Sequence, residues 1–194
     1  MTHAHGTEPV SPWVRRFASL VPEGEVLDLA CGHGRHARLF AALGHPVLAT
    51  DRDGAALAAL AQPGITTLET DLEAGRPWPF TSACFAGIVV TNYLHRPLFP
   101  HILASLAPGG VLLMETFAQG NGQFGKPSNP DFLLAPGELL AVARDLHVLA
   151  FEDGYVETPK PALVQRLCAI KPPLPGDADA AHAAHAAIKR RLDG

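Results

Sequence analysis

One stretch concentrates the residue types that bind small ligands: Val26-Leu-Asp-Leu-Ala-Cys-Gly-His-Gly-Arg-His-Ala37. A buried apolar run ends, Gly32 and Gly34 fall in a tight turn, and a helix-forming sequence begins. Glycine lets the backbone bend sharply and lets a ligand approach where a Cβ would otherwise stand. A turn of this kind lies at the carboxyl end of a sheet, where open α/β folds take their ligands. Gly32-x-Gly34-x-x-Ala37 also fits the dinucleotide fingerprint, with Asp51 seventeen residues beyond Gly34, placed to hold ribose hydroxyls.

Asp28 separates two ligand chemistries. It stands four residues before Gly32 and directs a carboxylate towards the turn. A diphosphate there meets like charge in a partly buried site. A ligand carrying an ammonium and a sulfonium instead gains several kcal/mol of attraction at an intermediate dielectric, before desolvation is subtracted. S-adenosylmethionine carries both cations and no phosphate.

Such a turn needs a sheet behind it. Short β-like runs at 25–30, 46–50, 65–69, 85–91 and 111–117 alternate with Ala- and Leu-rich helical segments at 35–43, 54–61 and 97–106. That order predicts a parallel sheet with right-handed crossovers and helices on both faces. The unbroken apolar run Ile88-Val89-Val90 suits a strand buried on both sides. Residues 119–137 then form a long Gly- and Pro-rich connection, and loops of that length are usually functional or mobile. A helix over 136–143 is expected next. Two β-like runs follow at 147–151 and 162–170, broken by Gly154-Tyr155 and by Pro159-Lys160-Pro161, and predict an antiparallel hairpin at one edge. The expected fold is therefore α/β, a doubly wound, mostly parallel seven-stranded sheet with an antiparallel edge hairpin, as one domain over 1–194. Residues 1–20 read as an N-terminal helical segment in which Trp13 and Phe17 pack on the sheet. Residues 177–192 read as an Ala-rich helix with acids at its start and Lys189, Arg190 and Arg191 at its end, as the helix dipole prefers.

Composition narrows the function classes. At about 150 residues per domain, 194 residues make one domain. With 47% hydrophobic and 18% charged residues, the chain is too apolar for a disordered segment. Lys plus Arg total 15 against 19 for Asp plus Glu, a net charge of −4, so no strong basic field exists to hold a nucleic acid. Three scattered cysteines give no disulfide framework and favour a reducing cytoplasm. Cys31, His33 and His36 lie close together, but no paired C-x-x-C or H-E-x-x-H accompanies them, so no metal is expected. The first residues lack the basic-then-apolar pattern of a secretory signal. Prolines and glycines break the longest charge-free stretch, 97–114, so no membrane helix is expected.

Taken together, Asp28-x-Ala30-x-Gly32-x-Gly34, Asp51 after the second strand, Asp71-Leu72 after the third, Asn92 ending the fourth and Leu106-Ala-Pro-Gly-Gly110 before the fifth resemble the class I S-adenosylmethionine-dependent methyltransferases. The resemblance spans about residues 20–117. The remainder is similar to small bacterial methyltransferases of the tellurite-resistance-like kind. Ala30 stands where the motif usually has its first glycine. The resemblance implies a Rossmann-like methyltransferase fold and S-adenosylmethionine as cofactor. It places Gly32 and Gly34 against the methionine part and Asp28 near its ammonium. It gives Asp51 the ribose hydroxyls, Asp71 the adenine amino group, and the Leu72 N–H a ring nitrogen. Asn92 would stand beside the transferable methyl, Arg35 would meet the methionine carboxylate, and Ala30 and Arg52 would complete the cofactor's surroundings.

Competing uses stay open for several of these residues. An acid after a strand often caps the next helix; here Asp53 takes that task and Asp51 the ribose. Asp71 equally suits a turn, and Arg35 a solvated helix face. After strand four, Tyr93 and His95 are best placed to touch the acceptor; His95 titrates near neutral pH and can take a proton, or else bonds a backbone carbonyl. The absence of two prolines after Asn92 argues against methylation of an adenine amine in DNA. Asn121, Phe124, Lys126, Asn129 and Phe132 in the long loop are candidates for a lid or acceptor wall. The leading expectation is methyl transfer to a small molecule. The rivals are an RNA or protein methyltransferase, a non-catalytic S-adenosylmethionine-binding module and a nicotinamide-dependent dehydrogenase.

Overall fold

A computed structural model describes residues 8–173. The helix expected at 177–192 lies outside the described residues, as do residues 1–7.

The chain opens on α1 (Pro12–Phe17), where Ser11 Oγ accepts the Trp13 and Val14 N–H groups and Pro12 starts the helix where no N–H is needed. Trp13 and Phe17 meet edge to face with centroids 4.7 Å apart, and both are buried on the sheet, as their four-residue spacing predicts. Strand and helix then alternate: β1 (Val26–Leu29), α2 (Arg35–Ala42), β2 (Val47–Asp51), α3 (Gly54–Ala58), β3 (Ile65–Glu69), β4 (Phe85–Thr91), α4 (Phe99–Ser105) and β5 (Leu106–Phe117). The short α5 (Glu138–Val142) precedes the edge strands β6 (His147–Val156) and β7 (Ala162–Ile170).

The sheet has seven strands in the order β3-β2-β1-β4-β5-β7-β6. The first five are parallel, and β7 runs antiparallel between β5 and β6. The strand order reverses between the parallel neighbours β1 and β4, which leaves a crevice at their carboxyl ends, where a ligand is expected. Every residue of β4 is buried. Val89 enters the layer that holds Trp13, Phe17 and Phe40; Ile88 and Val90 enter the opposite layer with Met114 and Leu139. At roughly 1.5–3 kcal/mol for each large apolar side chain removed from water, these layers hold the sheet rigid behind its turns.

Three expectations need correction. β5 starts at Leu106, before the Ala-Pro-Gly-Gly segment, because Leu106 pairs with Phe85 and an irregularity before Gly87 absorbs the turn. β6 continues through Gly154 and Tyr155 to Val156, since β7 pairs with it along its whole length and confines the break to 157–161. The apolar surroundings of all three cysteines predict inert core thiols, but Cys84 is exposed, with its thiol against Thr81 O, whereas Cys31 and Cys168 are buried. Among the described residues, no group of three His, Cys, Asp or Glu side chains could hold a metal, and no helix is long and apolar enough to cross a membrane.

Candidate active site

The glycine turn after β1 is built from left-handed residues. Ala30, Gly32 and Gly34 have φ of 53°, 53° and 69°. The Cys31 N–H binds Thr50 O at 2.9 Å and the Gly34 N–H binds Cys31 O at 2.9 Å, which fixes the bend to β2. The two glycines are needed for different reasons. A Cβ on Gly32 would point into open space, with no heavy atom within 4 Å. A Cβ on Gly34 would run into the buried Leu60 side chain. Gly32 leaves room for a ligand, whereas Gly34 leaves room for the core.

Asp51 ends β2 with its carboxylate oriented by the backbone. Oδ2 accepts the Gly32 N–H at 2.7 Å and Oδ1 accepts the Asp53 N–H at 3.0 Å. Each oxygen keeps a lone pair for a further donor. Asp53 caps α3 by accepting from Ala55 and Ala56, both at 3.0 Å, the task the sequence gives it. Asp71 Oδ1 accepts the Glu73 N–H at 2.9 Å in a side-chain turn. Burial first, and then the Glu73 carboxylate hydrogen-bonded to it, push the Tyr93 phenol well above its ordinary range. Tyr93 therefore stays protonated at neutral pH and acts as a donor.

One cavity of about 480 Å³ runs along the carboxyl ends of the strands. At its β2–β3 end stand Asp51, Arg52, Thr70, Asp71, Leu72 and Glu73. Ala30, Asn92, Tyr93 and Leu94 occupy the middle. Thr116, Phe117, Pro127 and Phe132 close the β5 end. Asn92 has a left-handed φ of 56°, and its N–H binds Glu115 O at 2.9 Å, so the chain swings out directly after β4. Seven sequence candidates thus share one wall: Ala30, Asp51, Arg52, Asp71, Leu72, Asn92 and Tyr93.

The other candidates do not line this cavity. Gly32 and Gly34 shape the turn beside it. Asp28 is 1% exposed, and its Oδ2 accepts the Ala37 N–H at 2.8 Å, bracing the start of α2. Burial pushes the Asp28 carboxyl up to about 7, against the lowering effects of that hydrogen bond and of Arg35. Arg35 reaches Glu8 at 2.6 Å. His95 begins the 3-10 turn Arg96–Leu98, off the cavity wall. His36, next to Arg35 in the chain and not singled out by the sequence for a structural task, is buried. It accepts the Ser11 N–H at Nε2 (3.2 Å), and Nδ1 lies 3.3 Å from Thr91 Oγ1. Burial lowers its pKa to about 3, so it serves as a neutral strut under the end of β4.

Sequence reasoning missed Glu73, Thr116, Phe117 and Pro127. Glu73 follows the Asp71-Leu72 pair directly, and Phe117 is the last residue of a predicted strand; strand-end position was the available signal. The long loop leaves and returns at one place, because Leu134 N–H binds Phe117 O at 2.9 Å and Gln119 N–H binds Leu134 O at 2.9 Å. Asn121 ties its first half down, accepting from Leu163 N and donating to Pro127 O, both at 3.1 Å. Arg96 ties the second half. It forms a two-pronged pair with Glu138 (2.7 and 2.9 Å) and donates to Asp131 O (2.7 Å) and Leu133 O (2.8 Å). Of the loop candidates, Phe132 lines the cavity; Asn129 caps the turn at Pro130–Phe132, and Phe124 lies against Tyr155.

The strand order, the glycine turn and the acids after β2 and β3 point to one class of protein, and comparison with known proteins points the same way. Residues 26–110 match the methyltransferase domain family. That match and the relatives below support a relationship to the class I S-adenosylmethionine-dependent methyltransferases. It is 32% identical over 117 residues to trans-aconitate 2-methyltransferase of Klebsiella pneumoniae, covering 58% of this chain and 46% of that protein. It is 35% identical over 101 residues to the Rhizobium meliloti protein of the same name, covering 49% and 39%. The chain thus spans less than half the length of these curated relatives. The crystal structure of TehB from Haemophilus influenzae shares the fold with a TM-score of 0.72 and 21% identity, over 86% of this chain and 64% of that one.

Proposed function

We propose that this chain transfers the methyl group of S-adenosylmethionine to a small-molecule acceptor by in-line displacement. One observation carries the reading: a single cavity joins the oriented carboxylates after β2 and β3 to a separate wall after β4 and β5. The residues fit the cofactor. Asp51 offers its two free lone pairs to the ribose hydroxyls. Asp71 takes the adenine amino group, the Leu72 N–H a ring nitrogen, and Arg52 and Ala30 border the nucleoside. Gly32 leaves the open space beside which the methionine part lies, with Gly34 holding the turn. Asp28 acts through charge from beneath, and Asn92 stands beside the methyl. Arg35 serves the methionine carboxylate only by leaving Glu8.

The chemistry supplied by bound S-adenosylmethionine is an activated methyl: the acceptor forms a bond to carbon as the carbon–sulfur bond breaks, the sulfur keeps the electron pair, and the acceptor's proton leaves to water or a base. The protein's task is to align the two partners and exclude water, which can contribute about 7–11 kcal/mol of barrier lowering. Tyr93 gives its one O–H to Glu73, so it orients the acceptor through its free oxygen lone pair and its ring. His95 takes the acceptor proton only if it turns inward from the start of its 3-10 turn. Solvent exclusion comes from Pro127 and Phe132 on the tethered loop. A cytoplasmic location, where the cofactor and free thiols such as Cys31 coexist, goes with this reading.

Two measurements test it. Calorimetry should show binding of S-adenosylmethionine and S-adenosylhomocysteine but not of NADH. Release of S-adenosylhomocysteine should then be followed across thiols, metalloid oxyanions, small acids and tRNA. Binding of NADH in place of the sulfonium nucleoside would overturn the reading, and cofactor binding without turnover on any acceptor would leave a binding module.

A further inference from the structure

The cavity is divided by charge. All four of its ionisable carboxylate and guanidinium groups (Asp51, Arg52, Asp71 and Glu73) stand on the β2–β3 side. The wall formed by Asn92, Thr116, Phe117, Pro127 and Phe132, with Tyr93 at its border, carries none. The sequence puts arginines close to this wall, but the fold commits them elsewhere. Arg96, four residues past Asn92, directs its Nε and both terminal nitrogens to Glu138 and to two loop carbonyls. Arg166, paired in register with Glu115, lies 2.7 Å from Glu115 Oε2 and 3.0 Å from Glu152 Oε2; the first contact is ionic and off the line of a hydrogen bond. Arg35 is held by Glu8. Lys126, beside Pro127, is exposed and does not line the cavity. A carboxylate brought against this wall would lose its water and meet no cation on the wall itself, since Arg52, the one cation lining the cavity among the described residues, stands on the far side among Asp51, Asp71 and Glu73. That loss is costly unless the charge is paired.

We infer that the methyl acceptor of this chain is an uncharged molecule with a flat or apolar body, and not a polycarboxylate such as the one that names its curated relatives. The inference rests on the methyl-transfer reading for the identity of the second ligand, and on the wall alone for its chemistry. The aromatic faces of Phe117 and Phe132 take the apolar body, while Asn92 and Thr116 offer the uncharged polar groups that orient a nucleophile.

The test uses ligands matched in shape and different in charge. Protein saturated with S-adenosylhomocysteine is titrated with p-cresol, 4-hydroxybenzoate and trans-aconitate, and binding is followed by ligand-observed NMR. The expected result is that p-cresol binds at least about tenfold more tightly than 4-hydroxybenzoate and that trans-aconitate does not displace it. Phe132→Ala changes a half-exposed side chain at the rim, and should weaken p-cresol about fivefold with the fold intact. Phe132→Arg should narrow the gap between p-cresol and 4-hydroxybenzoate. Equal or tighter binding of either carboxylate, or binding of none of the three, overturns the inference. The same titration without S-adenosylhomocysteine separates the two readings. Failure to bind that nucleoside with the preference for p-cresol preserved counts against the cofactor reading and supports the character of the wall.

Discussion

The two ends of the cavity are made from different amounts of chain. At the β2–β3 end, the two acids sit within two residues of a strand end and are fixed by backbone N–H groups: Asp51 through those of Gly32 and Asp53, Asp71 through that of Glu73. At the β5 end, the wall depends on a loop that departs at Ala118, returns to pair with it at Leu134, and is pinned by Arg96 from outside and by its own Asn121 to Leu163. The first end is preorganised by local hydrogen bonds and carries charge. The second is assembled from distant segments and carries none. A cofactor with fixed functional groups suits the first construction, and an acceptor that differs between relatives suits the second.

The strongest test of this contrast lies within the glycine turn. Gly34→Val places a side chain in a left-handed backbone and against Leu60, so strain and overpacking add to about 4 kcal/mol of lost stability. Gly32→Val meets only the backbone strain, roughly 1–3 kcal/mol, because its side chain enters open space. Thermal unfolding should therefore show the larger loss for Gly34→Val. Calorimetry should show that folded Gly32→Val no longer takes S-adenosylmethionine. Equal losses of stability in the two variants would dissolve the distinction between a ligand glycine and a core glycine.

Asp28 ties the cofactor end to pH. Its carboxyl is raised from 3.8 to about 7 by burial, so the folded protein holds a proton there that the unfolded chain releases. Between those values stability falls as pH rises, because the folded state binds more protons. The charge left above pH 7 costs the fold on the order of a few kcal/mol. Asp28→Asn keeps an oxygen for the Ala37 N–H and removes the charge. It should unfold at a higher temperature than wild type at pH 8, with the difference vanishing near pH 4. If Asp28 attracts the cationic cofactor, affinity in wild type rises from pH 6 to pH 8, and Asp28→Asn flattens that rise. His36 opposes this trend, since its pKa is lowered to about 3 and the unfolded chain gains a proton below 6.5. The stability that His36 contributes is present above pH 6.5 and is lost as pH falls towards 3.

Asp51→Ala removes an oriented acceptor, and about 1–3 kcal/mol of nucleoside binding should go with it, a loss of roughly ten- to a hundredfold. Unchanged binding by calorimetry would reassign Asp51 to bracing the turn alone.

The sequence made the β2–β3 end legible because its groups are local. A strand end, a glycine or an acid, and a helix start each occupy fixed offsets, and the mostly parallel sheet with its antiparallel edge hairpin followed from the pattern of β-like and helical runs. Asp53 as cap and Asp51 as cavity wall could be told apart by position alone. The β5 end was legible only as a long loop. No local signal says that Arg96 spends its donors on Glu138 and two carbonyls, or that Asn121 reaches Leu163, since those partners lie about 35–42 residues apart. For the same reason the sequence expects His95 beside the acceptor, whereas it is not among the residues that line the cavity. Its position follows from where the 3-10 turn packs, which local sequence does not specify.

Arg96→Ala probes the distant construction directly. The pair with Glu138 is partly exposed, so its ionic part is worth at most about 1 kcal/mol, and global stability should fall by about that much. The larger consequence is local: residues 127–133 lose their outside support, and limited proteolysis should cut there first. Cofactor affinity should stay within about twofold, since Arg96 touches nothing at the β2–β3 end. A joint loss of cofactor binding would show that the loop organises both ends.

The smallest effect expected is at Ala30, the departure from the glycine that the methyltransferase motif usually carries. A φ of 53° costs an alanine roughly 1–2 kcal/mol relative to ordinary backbone. Ala30→Gly relieves that strain but gives the unfolded chain about 0.4–1 kcal/mol of extra freedom. The two nearly offset, so the variant should gain about 0.5 kcal/mol in denaturant unfolding, with the slope of the transition unchanged. A clear loss of stability would mean that the Ala30 methyl contributes packing that outweighs its backbone strain. In that case the departure at position 30 would serve the cavity wall itself, and the cofactor end would owe part of its shape to a side chain as well as to its turns.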